Sequence, residues 1–425
     1  MSESVAQIRS PASLVPVLAS ITSAAGGAGL LQTLLPLRLR ASGFGTDQVG
    51  LVVTFYSLGF IIGCLGAAML IRSVGHVRAS CACAAGAALT IFAFEWHPGF
   101  PLAVLIMGMT GIGSAGLSVV TESWLNELAA PAWRGRLLTI YVVLMALGWA
   151  GGEALGLALD VQGSRMLILA AGLYVLALIP VAAIDVAAPK PPENARIDLL
   201  RAFRVAPVGA ISCFYTGLVA ATFIGIGPLY GEALGLDTRQ IVWLMIAAQI
   251  GMVLQWPLGL LSDRFDRRIL LIAMCGALIG IGVALILLAP TLPFIGLAAL
   301  FAAFAGIAES FYPIGVAHAN DRAQPSDYVV ISSNLLLLWA AGRMIGPIAG
   351  AASLKGAGPA GLLWYAIVLS IAFALYAAWR IRFSAKLVPE DREEFVTYPT
   401  TSPTVFEWIQ LRKLGAGKKT TEDKP

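Results

Sequence analysis

The sequence predicts an all-α membrane protein of twelve transmembrane helices in two pseudo-symmetric six-helix bundles. Three observations carry this. Apolar residues make up 58% of the 425 and charged residues only 12%, against roughly 25% charged in ordinary soluble domains. The apolar residues fall in long runs, and a helix needs roughly 20 of them to cross about 30 Å of hydrocarbon, where no water satisfies backbone groups. The chain also repeats itself at an interval of roughly 190 residues, as a duplicated six-helix unit would.

Breaks at charges, Gly and Pro place the first six spans at roughly 14–37, 48–72, 79–96, 101–127, 137–159 and 165–186. The first run, from Leu14 to Leu37, exceeds a signal-peptide core of roughly 7 to 15 residues and is kept as a span. The second six follow at roughly 207–231, 239–262, 269–289, 293–319, 329–353 and 358–380. This gives an N-terminal bundle over 1–187, a polar linker over 188–206, a C-terminal bundle over 207–384 and a polar tail over 385–425.

Self-alignment supports the duplication. At an offset of 192, Pro36, Leu37, Ala41, Gly43, Thr46 and Gln48 fall on Pro228, Leu229, Ala233, Gly235, Thr238 and Gln240. At 187, Glu122 and Ser123 fall on Glu309 and Ser310. At 194, Gly148, Gly152 and Gly156 fall on Gly342, Gly346 and Gly350. The offsets keep their order, so both copies insert the same way round.

The net charge of +4 does not point to nucleic acid, because the basic residues sit in short interhelical segments. Cytoplasmic loops retain Lys and Arg. Placing both termini inside puts 22 of the 28 on that side, leaving Arg38, Arg40, Arg165, Arg239 and Lys355 outside and Arg343 within a span. The expectation is a multi-pass protein of the cell inner membrane with both termini cytoplasmic. Cys64, Cys81, Cys83, Cys213 and Cys275 lie in or beside apolar runs and read as small packing residues.

Ionisable residues inside a membrane cost about 2.5 to 3.5 kcal/mol each on insertion scales, so they face a cavity or a partner. Glu122, Glu153, Glu309 and Arg343 stand out. Ser118, Glu122 and Asn126 share one helical face that should look into a cavity, and Glu309 shares a face with Tyr312 and Asn320. Either Glu122 or Glu309 could carry protons or bind a cationic solute; the bland alternative is a structural ion pair. Glu153 lies too deep for so short a side chain to reach water. Arg343 needs a carboxylate, a water-filled cavity or an anionic substrate. Gln32, with Thr33, Ser20, Thr22 and Ser23, and Tyr215, with Thr216 and Thr222, supply neutral polar groups to the same cavity, or serve as interhelical glue. His318 points away from Glu309 and is expected to hydrogen-bond at an inner gate or loop with Asn320 and Asp321. Gly at intervals of four on the fifth and eleventh spans reads as tight helix packing.

The eighth span ends Gly259-Leu-Leu-Ser-Asp263-Arg264-Phe-Asp266-Arg267-Arg268. This resembles the loop signature of the major facilitator superfamily, in which Gly259, Asp263, Arg264, Arg267 and Arg268 would form a conformational latch. The first-half equivalent, Arg72-Ser73-Val74-Gly75-His76-Val77-Arg78, lacks the Asp. Glu122-Ser-Trp-Leu-Asn126, Gln255-Trp-Pro-Leu-Gly259, Ala317-His318-Ala-Asn320-Asp321-Arg322 and Gly346-Pro347 resemble the bacterial YcaD-like branch of that superfamily. The resemblance implies a central cavity lined by the first, fourth, seventh and tenth spans.

No phosphate loop, catalytic triad or metal-ligand cluster is present in the sequence, so neither an enzyme nor an ATP-driven pump is expected, and no cofactor or metal. The reading is a monomeric secondary transporter among membrane lipids. It moves a small organic solute by alternating access, coupled to protons or another ion. Export is favoured slightly because acidic groups outnumber basic ones among the buried charges. The alternatives are a nutrient-uptake symporter and a non-transporting sensor or scaffold.

Overall fold

The computed structural model describes residues 14–128, 134–182, 198–324 and 328–383, with side chains for all of these but 126–128, 134–136, 138, 199, 328 and 329. The expected polar tail lies outside the described residues. Every regular element among them is helical. The first bundle holds α1 (Val15–Ala41), α2 (Thr46–Val74), α3 (His76–Phe92), α4 (Phe100–Leu128), α5 (Arg134–Leu155) and α6 (Ser164–Ala182). After α7 (Leu199–Val205), the second holds α8 (Pro207–Ala233), α9 (Thr238–Gly251), α10 (Gln255–Arg264), α11 (Arg267–Leu288), α12 (Phe294–Asn320) and α13 (Tyr328–Ile381).

Twelve spans follow from these elements. α9 and α10 are one span joined by a 3-10 turn at Met252–Leu254. Pro257 has no N–H to give the Val253 carbonyl, which loosens the helix there. α13 is two spans. A straight helix of 54 residues would run about 80 Å, more than twice the hydrocarbon thickness. It breaks at Ala357 (φ −133°) and Gly358 (φ 63°).

Why the copies repeat the residues they do is visible at the turns after α1 and α8. Gly43 (φ 91°) and Gly235 (φ 77°) end those helices in the left-handed region, where a Cβ is penalised. Gln48 then accepts from the Gly45 N–H at 2.8 Å, and Gln240 from the Asp237 N–H at 3.1 Å, each reaching back from the first helical turn. The repeated Gly and Gln thus encode one turn used twice. Packing repeats as well: α1 lies on α5 as α8 lies on α13, and α2 on α4 as α9 on α12.

The described end of the segment read as a polar linker is helical. Asp198 caps α7 by accepting from the Arg201 N–H at 3.1 Å, and Ala202 and Ala206 are buried beneath the second bundle. Arg38, expected as a loop charge, is buried at the end of α1. Its Nη1 donates to the carbonyls of Gln162 (3.0 Å) and Gly163 (2.9 Å), and its Nη2 meets Glu95 at 3.4 Å. That guanidinium ties three helix ends of the first bundle together. Large apolar side chains such as Leu89, Leu105, Ile179, Val253, Leu287 and Ile295 point outward, as a lipid-facing surface requires.

Candidate functional site

The bundles meet at the end carrying the α1–α2 and α8–α9 turns, here called distal because α1 begins and α13 ends at the other. Arg40 Nε pairs with Glu232 Oε2 at 3.3 Å and Lys355 Nζ with Asp47 Oδ1 at 3.2 Å, each joining one bundle to the other. Just inside, Gly50 of α2 lies against Pro347 and Ala351 of α13, and Gly225 of α8 against Val53 of α2. α9 touches α5, whereas α10, in the opposite half of the same span, packs against α11 and α12 of its own bundle. The molecule is closed at the distal end.

Arg343 sits at the middle of the eleventh span, on this junction. Its Nε donates to Ser57 Oγ of α2 at 3.3 Å. Its guanidinium lies 5.9, 5.4 and 5.2 Å from the ring centroids of Tyr56, Phe60 and Trp339, so three aromatic faces offset part of the charge. The backbone is held firmly: Gly217 of α8 abuts the Arg343 nitrogen and the Trp339 carbonyl, and Gly342 abuts the Phe214 carbonyl. Glu309 is within electrostatic reach, yet among the described residues no carboxylate stands within ion-pair distance of Arg343.

Glu309, on α12, is half-buried and borders a small cleft lined by Gln249, Phe223, Met245, Met252 and Phe301. Glu153, on α5, is buried; its Oε1 accepts from Thr33 Oγ1 at 3.2 Å and Trp149 Nε1 at 3.1 Å. Gln249 of the other bundle also reaches it. Glu153 therefore lies where α1, α5 and α9 converge, between the bundles.

Two expected cavity residues are placed otherwise. Glu122 does not look openly into a cavity: it is buried between α4 and α5, and Tyr141 donates its hydroxyl to Oε1 at 2.7 Å. The repeat explains why its partner Glu309 differs, since Leu335 stands where Tyr141 stands in the first half. Tyr215 turns into the core of the second bundle, stacked on Phe373 (5.2 Å) and bonded to Ser370 (2.6 Å). The Asn126 side chain lies outside the described residues. Gln32 stays at the junction, facing the Tyr56 hydroxyl, which also faces Ser114; Ser114 in turn bonds Tyr174 at 2.7 Å. Tyr312 is buried 6.0 Å from Trp339 and backs the aromatic wall. Tyr56, Ser57, Phe60 and Trp339 carry no charge, and nothing in their local sequence distinguishes them from ordinary packing residues.

The loop signature and the inner-gate residues form one cluster. Arg267 meets Asp263 at 3.3 Å and Asp321 at 3.1 Å, linking α10, α11 and the end of α12. Arg268 clamps Asp266 through both carboxylate oxygens, at 3.1 and 2.9 Å. Burial would raise the Asp266 carboxyl, but the Arg268 hydrogen bonds outweigh it and hold it at about 2. Its stabilisation is present above the ordinary carboxylate range and is lost as pH falls through that lowered value. Arg322 donates to His318 Nδ1 at 3.0 Å, which places the imidazole proton on Nε2. Arg264 is exposed, Gly259 is buried, and the Asn320 amide is buried without a hydrogen-bond partner among the described residues. In the first half His76 begins α3 as Arg267 begins α11, and it contacts Ser123 at 3.2 Å. A neutral contact thus replaces a buried ion pair.

Two helical bundles with charges gathered at their junction define a solute carrier rather than an enzyme. The chain belongs to the Major Facilitator Superfamily, whose family profile matches residues 17–303 and 257–416, and it is a secondary transporter. It is 28% identical over 331 residues to the MFS-type transporter YcaD of Escherichia coli O45:K1 (strain S88 / ExPEC), covering 75% of this chain and 82% of the relative. Its fold is similar to that of the nucleoside transporter NupG (TM-score 0.71, 13% identity, 88% of this chain and 100% of that one). It is also similar to the D-xylose-proton symporter (TM-score 0.64, 16% identity, 86% and 96%).

Proposed function

We propose that the chain is a proton-coupled exporter of a small organic solute, seated in the inner membrane with both termini cytoplasmic. The observation that carries the reading is the combination of a half-buried Glu309, open to a cleft, with a mid-span Arg343 at the junction that has no ion-pair partner among the described residues. A carboxyl in that position can exchange its proton with one side of the membrane and then the other as the bundles alternate, in step with the solute. With this orientation the distal end faces outward and the structure is closed to the exterior. Glu153, between α5 and α9, is a second group whose surroundings change when the bundles part. The protein works as a monomer within the bilayer.

The test is flux in proteoliposomes across a panel of labelled organic acids, amines and neutral solutes under an imposed pH gradient. Wild type is expected to accumulate at least one member against its gradient. Glu309→Gln is expected to lose at least about tenfold of the proton-driven accumulation, while keeping solute-for-solute exchange. Proton-driven accumulation that survives Glu309→Gln intact would remove Glu309 from the coupling role.

The two distal ion pairs are exposed, so each contributes about 0.2 to 1 kcal/mol. Removing both with Glu232→Gln and Asp47→Asn should raise the distal-open fraction by about twofold to thirtyfold and change the melting temperature little. Spin-label distances between Ser42 and Leu234 read this population. An unchanged distribution would show that glycine packing alone sets the closure.

A further inference from the structure

We infer that the solute is a small organic monoanion, a carboxylate or sulfonate on an apolar body, whose acidic group binds the terminal nitrogens of Arg343. The inference rests on the transporter reading for its word "solute", but the binding site stands on geometry of its own.

Arg343 is the one Lys or Arg, among the described residues, that lies at mid-span rather than at a helix end. Its Nε is satisfied by Ser57. The three rings around it lower the cost of holding the charge. Nη1 and Nη2 have no hydrogen-bond acceptor among the described residues. A guanidinium fork presents two parallel donors, and its geometric complement is a planar or tetrahedral oxyanion bound through two oxygens. The group is partly accessible rather than sealed. Glycine packing at Gly217 and Gly342 fixes its backbone, so the fork is preorganised and does not search for its ligand.

The surroundings set the rest of the ligand. Tyr56, Phe60 and Trp339 make the wall apolar and aromatic, which suits a ring or short hydrocarbon beside the acidic group. Glu309, near enough to act on Arg343 electrostatically, repels a second negative charge on the ligand, so a monoanion is preferred to inorganic phosphate or a dicarboxylate. The other occupant with matching chemistry is Glu309 itself, swung onto the fork; that arrangement would compete with the solute.

The experiment is equilibrium dialysis of the purified full-length protein against three fluorescent isosteres, at a pH where acid and amine are both charged: 1-naphthoate, 1-naphthylmethylamine and 1-naphthalenemethanol. The acid is expected to bind at least about tenfold tighter than either other probe. Arg343→Gln should weaken naphthoate at least about tenfold, and Arg343→Lys by less, since an ammonium keeps the charge and loses the fork. Glu309→Gln should leave naphthoate binding equal or strengthen it by about threefold. Should Arg343→Gln yield no folded protein, Arg343→Lys and Trp339→Leu carry the test, both weakening naphthoate. The inference is overturned if the amine or the alcohol binds as tightly as the acid, if folded Arg343→Gln binds the acid unchanged, or if no probe binds up to millimolar concentration. Arg343-dependent binding of naphthoate without flux would support the anion site and count against transport. Glu309-dependent flux of the amine or the alcohol, with no binding of the acid, would do the reverse.

Discussion

Arg267→Ala is expected to destabilise the protein by about 3 to 5 kcal/mol, the usual cost of removing one partner from a buried ion pair. The Arg267 side chain is 1% exposed and that of Asp321 is 3% exposed, so the carboxylate left behind cannot recover its hydration. Asp263, the other partner, is 30% exposed, and Asp263→Asn should cost about 1 kcal/mol or less. Arg267→Lys should fall between, because one ammonium cannot hold two carboxylates on different helices with the geometry of a fork. Joint replacement of Arg267 and Asp321 by Leu and Ala should cost less than either single truncation, since it removes the desolvated charges together. The measurement is equilibrium unfolding in mixed micelles. If Arg267→Ala and Asp263→Asn cost the same, the α11–α12 link is not what the motif secures.

That cluster shows how much the sequence disclosed. The spacing of Asp263, Arg264, Arg267 and Arg268 marked a helix-to-helix turn, and the polar run at the end of the tenth span marked a second. Their union through Arg267 and Asp321 joins residues 54 positions apart by their numbers, which periodicity cannot reach. The spans and the duplication were legible because both are one-dimensional signals, runs of apolar residues and repeated turn residues such as Gly43 with Gly235 and Gln48 with Gln240. α7 was not read from the sequence, although Asp198 followed by Leu199-Leu200-Arg201-Ala202 is a cap with helix formers behind it.

The fates of the buried charges were not legible. Whether Glu122 faces a cavity or a neighbour depends on the Tyr141 hydroxyl across a helix pair. Whether Arg343 has a counter-charge depends on α2, in the other bundle and 286 positions away. The repeat supplied the only partial guide. Positions where the copies disagree, Tyr141 against Leu335 and Trp149 against Arg343, are the ones where the structure assigns the matching residues different partners.

Gly152→Val and Gly346→Val are expected each to cost at least about 3 kcal/mol and to remove most of the folded protein, although neither residue supplies a side chain to the candidate site. A Cβ at Gly152 would run into the Gly26 carbonyl of α1, and one at Gly346 into the Leu218 carbonyl of α8 and Thr222. The obstacle is backbone in both cases, so no rotamer change relieves it and the helices must separate. Gly148 against Thr22 and Gly342 against Phe214 repeat the same arrangement one turn away. Without a hydrophobic drive between helices in lipid, such close backbone approach supplies much of the attraction through dispersion. Gly151 is the internal control: it adjoins Gly152, but a Cβ there meets nothing within 4 Å. Gly151→Ala should therefore be neutral or stabilise by up to about 1 kcal/mol through helix propensity. Folded yield by size exclusion and melting temperature in detergent separate the three variants. Equal yields for Gly151→Ala and Gly152→Val would show that the fifth span is not held by packing, and would reopen a direct role for its glycines in transport.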